Sequence, residues 1–316
     1  MQSKIREAAL NLGYVDARPV TGHPFEVMHN HLKSLPIGQH MPMEHRPEES
    51  SGWPLGEITI WVATEPQPPA ADWPEGCGEI AGSYMAMHEW RARRAKWEEA
   101  AAALGYEIKP GAGSMLPERA AAIRAGLGVH GLNGLMITPD YGSFVGISTL
   151  LVRATPPPDT RGPEHDLSPG CANCMKCIVA CPSSAISETG INAMKCLCSY
   201  IYRYADMQEE DYPKMGRRIL GCDACQLACP SNVAIKRRQP PAEMVKAMNL
   251  EELLSDPDFD TISKYVKLSD LHVKTQAVLA AANTGRKDLL PQVEALIGSE
   301  DEKLDKLARW AAARLG

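Results

Sequence analysis

The chain has 316 residues and a mass of 34.4 kDa, enough for one large domain or two modest ones with a buried core, which excludes collagen-like, disordered and mini-protein classes. Hydrophobic residues at 44% and charged residues at 23% are globular values, while aromatic residues at 6% leave little surface on which exposed bases could stack. A formal charge of -6 supplies no global field for phosphate, so a nucleic-acid partner would need a local basic patch.

Met1-Gln2-Ser3-Lys4 begins no basic segment followed by an apolar stretch, and no run approaches the roughly 18 apolar residues of a membrane helix. The expectation is a soluble, cytoplasmic protein with no membrane partner. Ile5, Ala8, Ala9 and Leu12 form a helical stripe that ends at Gly13. Residues 22–56 are rich in Pro, Gly and His and read as a long loop. Glu57 to Ala63 then carries the β-branched alternation of a strand. A strong helix former follows from Met85 to Leu104 and stops at Gly105, with a short strand candidate at Tyr106 to Lys109 and a helix at Glu118 to Ala125.

Residues 126–152 hold five glycines before Phe144, which punctuate short apolar strands and form a backbone-rich cradle. The alternation of helix and strand over 1–153 indicates an α/β (α+β) domain. Residues 154–169 contain five prolines and read as a boundary. A cysteine module follows over 170–240, and 241–316 carries short Ala/Leu-rich paired helices of HEAT-like character.

Nine of the ten cysteines lie between Cys171 and Cys229, a clustering that indicates metal and not disulfides. Cys171-x2-Cys174-x2-Cys177-x3-Cys181-Pro182 is the run with which bacterial ferredoxins hold one cubane with three thiolates while the fourth reaches a neighbouring cluster. A second run, Cys222-x2-Cys225-x3-Cys229-Pro230, has three sulfurs and needs one more, from Cys196 or Cys198. Crossed ligation then assigns Cys171, Cys174, Cys177 and Cys229 to one [4Fe-4S] cluster, and Cys181, Cys196, Cys222 and Cys225 to the other. The alternative is a pair of zinc sites, which the three closely spaced thiolates of the first run disfavour. Cys77 stands alone and reads as structural.

The segments ERAAAIRAGLGVHGLN (118–133), NAMKCLCSY (192–200) and GRRILGCDACQLACPSN (216–232), with the double cluster and the C-terminal helices, resemble epoxyqueuosine reductase. That family uses cobalamin and two [4Fe-4S] clusters to reduce the epoxide of a modified tRNA wobble nucleoside. The stretch GLGVHGLNGLMITPDYGS is also similar to respiratory reductive dehalogenases. The resemblance implies a base-off cobalamin between the α/β domain and the cluster module, with Gly126, Gly128, His130, Gly131, Asn133, Gly142 and Ser143 of the cradle as its expected contacts. No D-x-H-x-x-G motif is present to offer a histidine as lower ligand. Co(I) is a two-electron nucleophile, and two cubanes in series supply the low-potential single electrons that form it. The upstream donor is expected to be a low-potential carrier such as ferredoxin or flavodoxin, and the chain a monomer.

Two positions depart from the family pattern. Counting back from Glu118 and Arg119, the acid of the family's D-S-A-P segment falls on Ala112, and its D-Y-H triplet reads Ala86, Met87, His88. An altered substrate or a proton donor elsewhere is the consequence, the candidates being Tyr84, His88, Tyr106 and His130, with His130 preferred for its place in the cradle. His23, His29, His31, His40 and His45 lack the i, i+4 pairing of a helical metal site and read as a solvated or cofactor-side loop. Arg91, Arg93, Arg94 and Lys96, with Lys236, Arg237 and Arg238, are a candidate tRNA phosphate track, a solvated helix face, or a docking surface for the reductant. Residues 249–316 carry nine Lys/Arg against twelve Asp/Glu, which weighs against tRNA contact there. The alternative readings are a dehalogenase-like reductase of a small organic molecule and an electron-transfer or corrinoid-handling protein without its own substrate.

Overall fold

The computed structural model describes residues 2–25, 46–110, 116–157, 167–203 and 207–316. Its ten strands are β1 (Asp16–Thr21), β2 (Ile58–Pro66), β3 (Glu79–Ile80), β4 (Ile108–Pro110), β5 (Val129–His130), β6 (Met136–Ile137), β7 (Val145–Arg153), β8 (Ile186–Ser187), β9 (Gly190–Ile191) and β10 (Arg218–Leu220). Four of them form an antiparallel sheet in the order β1-β2-β7-β4. Pro19 and Pro110, which offer no N–H to a ladder, lie on its two edge strands, while Trp61 stands between Pro19 and Leu150 in the register.

Both faces of this sheet are covered, which explains why β2 reads as a near-continuous apolar run. Ile58, Ile60 and Val62 point to one face, where they pack with Leu151 and with Ala120 to Ile123 of the helix Glu118–Arg124. Trp61 and Ala63 point to the other, where Ile5 and Ala9 of the helix Gln2–Asn11 and Trp97 and Ala101 of the helix Met87–Ala103 close over them. The two helices end, as the sequence indicates, at glycines with positive φ, Gly13 at 95° and Gly105 at 86°.

A third core belongs to the C-terminal half. The helices Leu250–Ser255, Asp270–Asn283 and Glu302–Leu315 pack with Leu197, Ile201, Ile219 and Leu220 and with Trp73, Ile80 and Met85 from the first half. A parallel pairing of β3 with β10 crosses between the same two parts. The cysteine-bearing segments lie between these cores in short turns, 3-10 turns and three small helices, Lys176–Ala180, Leu197–Arg203 and Ala224–Leu227. No described helix is long and apolar enough to cross a membrane.

Candidate functional site

A cavity of about 820 Å³ opens where the sheet meets the cysteine segments. Its first wall comes from the sheet half: Val145, Gly146 and Ile147 at the start of β7, Gln67 just after β2, Met87 and Trp90 on the long helix, and Leu116 to Ala120. The opposite wall carries Cys196, Cys198, Cys222 and Cys225, with Asp223 and Gln226. The size is within the usual range of small-molecule and cofactor sites, and the wall is mainly apolar with a few polar groups, as such sites are. Trp90 contributes an indole N–H that is buried and unpartnered among the described residues. A donor left over in this wall, beside the Gln67 amide, suits a ligand rimmed with acceptors, as the amide-bearing corrin of cobalamin is. No histidine is among the described residues that line the cavity.

The cysteines gather in two sets, all as free thiols. Cys171, Cys174, Cys177 and Cys229 surround a small void together with Asn133, Met175 and Pro230. Burial pushes the Cys177 thiol up, and the charges of Cys171, Cys174 and Cys229 add to it. The other set meets around Cys225, whose thiol is pushed up to about 12 by burial and then by Cys222, Cys196, Cys181 and Cys177. The Cys181 sulfur also accepts a hydrogen bond from the Ala185 N–H at 3.2 Å. Thiols that raise one another's pKa in this way are near neighbours. Among the described residues no three His, Cys, Asp or Glu side chains are gathered closely enough for a single metal ion. A cubane spreads its thiolates farther apart than one tetrahedral ion does, so this looser gathering suits iron–sulfur clusters better than zinc.

Cys198 belongs to the same gathering, its thiol raised by burial and then by Cys196 and Cys222. Its Sγ is 3.1 Å from the Tyr84 hydroxyl in the cavity wall, and burial pushes its thiol up to about 11. Cys196 acts on both Cys198 and Cys225. Tyr84 is thus the single proton-donor candidate from the sequence whose side chain lines the cavity. His130 lies on the β5–β6 hairpin, where its carbonyl accepts from the Ser168 N–H at 2.7 Å. His88 is exposed on the long helix. Tyr106 packs against the Trp97 core on the far face of the sheet. None of these three lines the cavity.

The cradle residues divide by role. Asn133 lines both the cavity and the void between the first set of thiols, and Ser143 lines the cavity. Gly126, with φ of 70°, ends the helix Glu118–Arg124. Gly128 and Gly131 give room for the hairpin, since a Cβ on either would fall 2.6 Å from the Ile137 carbonyl oxygen or 2.8 Å from Asn133 Oδ1. Gly142 fits the two halves together: its φ is 52°, and a Cβ there would fall 1.8 Å from Asn232 Oδ1. The same Asn232 Oδ1 accepts from the Ser143 N–H at 2.8 Å, and the Ser143 hydroxyl donates to Gln226 Oε1 at 3.1 Å. These bonds latch the cradle onto the second cysteine run.

Sequence reasoning missed Gln67, Trp90, Glu118 and Arg119. In the sequence Glu118 reads only as a first-turn acid favoured by the helix dipole, with nothing to mark it as a cavity group. Its Oε1 accepts from the Thr149 hydroxyl at 3.3 Å, and burial raises its pKa from the usual 4.5 to about 7, the charge of Arg94 and the Thr149 bond opposing the rise. The basic candidates are largely tied to acids: Arg93 to the buried Glu65, Arg94 to Glu98 at 3.5 Å, Arg237 to Asp72 and Arg238 to Glu89. Of the histidine-rich loop only His23 is described, its carbonyl accepting from Arg124; His29, His31, His40 and His45 lie outside the described residues, as does Ala112.

These features define a two-cluster iron–sulfur protein with a cofactor-sized cavity between its cluster segments and an antiparallel-sheet core. Residues 170–232 match the family model of the 4Fe-4S double cluster binding domain. The epoxyqueuosine reductase of Bacillus anthracis is 30% identical over 213 residues, 64% of this chain and 54% of that protein, and that of Bacillus cereus is 31% identical over the same length. The chain therefore spans about half the length of the curated relatives it matches. A crystal structure of epoxyqueuosine reductase with an epoxyqueuosine-modified tRNA stem loop superposes with a TM-score of 0.83, at 22% identity, over 100% of this chain and 90% of that one. The enzyme from Streptococcus thermophilus gives 0.82 at 21% identity. The chain thus has the fold of the epoxyqueuosine reductases and resembles them in sequence, as 118–133, 192–200 and 216–232 indicate.

Proposed function

We propose that the chain is a cobalamin-dependent reductase of the epoxyqueuosine reductase type, carrying two [4Fe-4S] clusters and acting in queuosine formation on tRNA. The observation that carries this reading is the cavity itself, large and mainly apolar, with the thiols of one cysteine set in its wall. The names of the relatives in sequence and of the solved structures with the same fold support it, as does the tRNA stem loop bound to one of them.

In this reading Cys171, Cys174, Cys177 and Cys229 hold the outer cluster, and Cys181, Cys196, Cys222 and Cys225 the one beside the cavity. Bound cobalamin supplies a nucleophilic cobalt centre that the clusters reduce one electron at a time. The chain's own contributions are physical. Leu116, Met136, Val145 and Ile147 give the cavity an apolar wall. The Trp90 N–H and the Gln67 amide would offer donors to acceptors on the corrin rim, and no histidine lines the cavity among the described residues, in keeping with a base-off cofactor. The latch of Ser143 on Asn232 and Gln226 fixes the distance between the two walls. The reading also includes domains at 1–153, 170–240 and 241–316 separated by the boundary 154–169, a cytoplasmic monomer, and a ferredoxin or flavodoxin as the upstream donor.

Anaerobic reconstitution with iron, sulfide and cobalamin tests it. About eight irons per chain are expected, because eight thiolates can be assigned to two cubanes. Electron paramagnetic resonance of the Co(II) state is expected without nitrogen superhyperfine splitting. Reduced flavodoxin should then drive conversion of epoxyqueuosine in a tRNA stem loop, followed by mass spectrometry. Stoichiometric zinc in place of iron, or a fully loaded protein that reduces no epoxide, would overturn the reading.

A further inference from the structure

Resting on the reductase reading above, we infer that Glu118 is the proton donor of the cavity, delivering a proton to the oxygen that leaves the substrate. Deoxygenation of an epoxide to an alkene takes up two electrons and two protons and releases water. Both C–O bonds break, the carbon pair is reduced, and the oxygen leaves bearing both protons. The electrons come singly from a low-potential electron-transfer protein through the clusters, and an acid held in the cavity wall delivers at least one of the protons where the oxygen leaves.

The geometry points to Glu118 for three reasons. It lines the cavity at the start of the helix Glu118–Arg124, on the wall that faces the thiols of Cys196, Cys222 and Cys225. Its carboxyl is held by one hydrogen bond, from Thr149 on β7 to Oε1, so the carboxyl is oriented while the second oxygen can carry the proton. Among the described residues it also has no ion-pair partner that would fix it as a carboxylate. Arg94 acts on it through charge, but the Arg94 guanidinium is 3.5 Å from Glu98 and stacked 4.7 Å from the Trp90 ring centroid.

The charged and titratable groups around it are few. Arg94 faces it from the long helix, and Arg119 follows it on its own helix. The cavity-lining part of β7 offers none, and the far wall carries Tyr84, Asp223 and the thiols. Burial outweighs the favourable charge of Arg94, and the resulting pKa of about 7 leaves a substantial protonated fraction at neutral pH, with a rapid return of the proton from water between turnovers. Of the other oxygen acids in the wall, Tyr84 is engaged with Cys198, and Asp223 accepts from the Gly82 N–H at 3.1 Å and lies between two cysteines of the second run.

The test compares the wild type with Glu118→Gln and Glu118→Asp, each loaded with clusters and cobalamin. Gln keeps the shape and an acceptor for Thr149, so iron content, the cluster signals and cobalamin affinity should be unchanged in Glu118→Gln. Epoxide turnover at pH 7 should fall about 10²- to 10⁴-fold, with part of it retained in Glu118→Asp. Wild-type turnover should decline above about pH 7, and the residual rate of Glu118→Gln should lose that decline. Infrared difference spectra give an answer independent of turnover: a protonated carboxyl band should titrate near neutrality in the wild type and be missing in Glu118→Gln. Equal turnover in wild type and Glu118→Gln, or a Glu118 ionised across pH 5 to 9, would sink the proposal and leave the reductase reading standing. A loaded wild type that reduces no epoxide would remove both.

Discussion

The two walls of the cavity are built on opposite principles. The sheet wall rests on two nine-residue strands buried on both faces, with Trp61 and Trp97 fully enclosed. The cysteine wall has almost no core of its own. Across 167–196 the buried residues are Ser183, Ala185 and Ile186, and across 222–236 only Asn232. Chain that buries so little apolar surface cannot offset the entropy of its own ordering, so what holds it must be bonds to something it carries. One wall is therefore stable as protein, and the other is stable as a complex.

The sharpest way to break that comparison is to remove the clusters. Chelation under oxygen should unfold 167–196 and 222–236 while the sheet and the C-terminal helices remain folded, and hydrogen exchange by mass spectrometry should show protection lost in those two segments alone. Uniform loss of protection would mean that the walls are one cooperative unit. Single cysteine changes sharpen the point. Cys229→Ser should remove the cluster shared with Cys171, Cys174 and Cys177, and Cys181→Ser the one shared with Cys222 and Cys225, each lowering the iron count from about eight to about four. Loss of the cluster belonging to the mutated run would show that the ligation is not crossed.

On the sheet wall the expected effects are those of a packed core. Trp61→Ala should cost about 3–5 kcal/mol, read from urea unfolding, with cluster signals intact in the folded fraction. Gly142→Ala acts where the walls meet. Its Cβ would run into Asn232 Oδ1 and the Ser231 carbonyl, so a cost of about 1–3 kcal/mol is expected, together with weaker cobalamin binding as the walls are pushed apart. A stabilised or unchanged Gly142→Ala protein would show that the latch carries no strain-sensitive contact.

The same contrast explains what could be read from the sequence. Cluster ligation is written in spacings of two and three residues, so Cys171 to Cys181 and Cys222 to Cys229 were legible at once, and so were the long helix and the strand at 58–66. The cavity is written in contacts between distant segments. Gly146 and Gln67 are neighbours only because β2 pairs with β7, and Glu118 meets Thr149 only because a helix lies across that sheet. His130 stands out in the sequence because it sits among glycines, but those glycines serve the hairpin turn and the latch, and of the hairpin pair His130–Met136 it is Met136 that lines the cavity. Tyr84 was placed better, because the helix Gly82–Met85 sits against the second cysteine run, where the Gly82 N–H donates to Asp223 Oδ2 at 3.1 Å.

The last effect concerns Glu118 and the balance between burial and charge at the edge of the sheet wall. In the unfolded chain its carboxyl titrates near the usual 4.5, whereas in the folded protein it titrates near 7. The folded state therefore binds the proton more tightly, and its contribution to stability is complete below about pH 4.5. Between 4.5 and 7 the unfolded chain has released this proton while the folded protein still holds it, so that contribution shrinks as pH rises and levels off above about 7. Glu118→Gln has no such proton, and the stability difference between wild type and variant should follow this curve, measured by urea unfolding at several pH values with clusters loaded. A difference that stays flat from pH 4.5 to 8 would mean that Arg94 compensates the burial in full. Glu118 would then be an ordinary carboxylate, and the sheet wall would supply only shape.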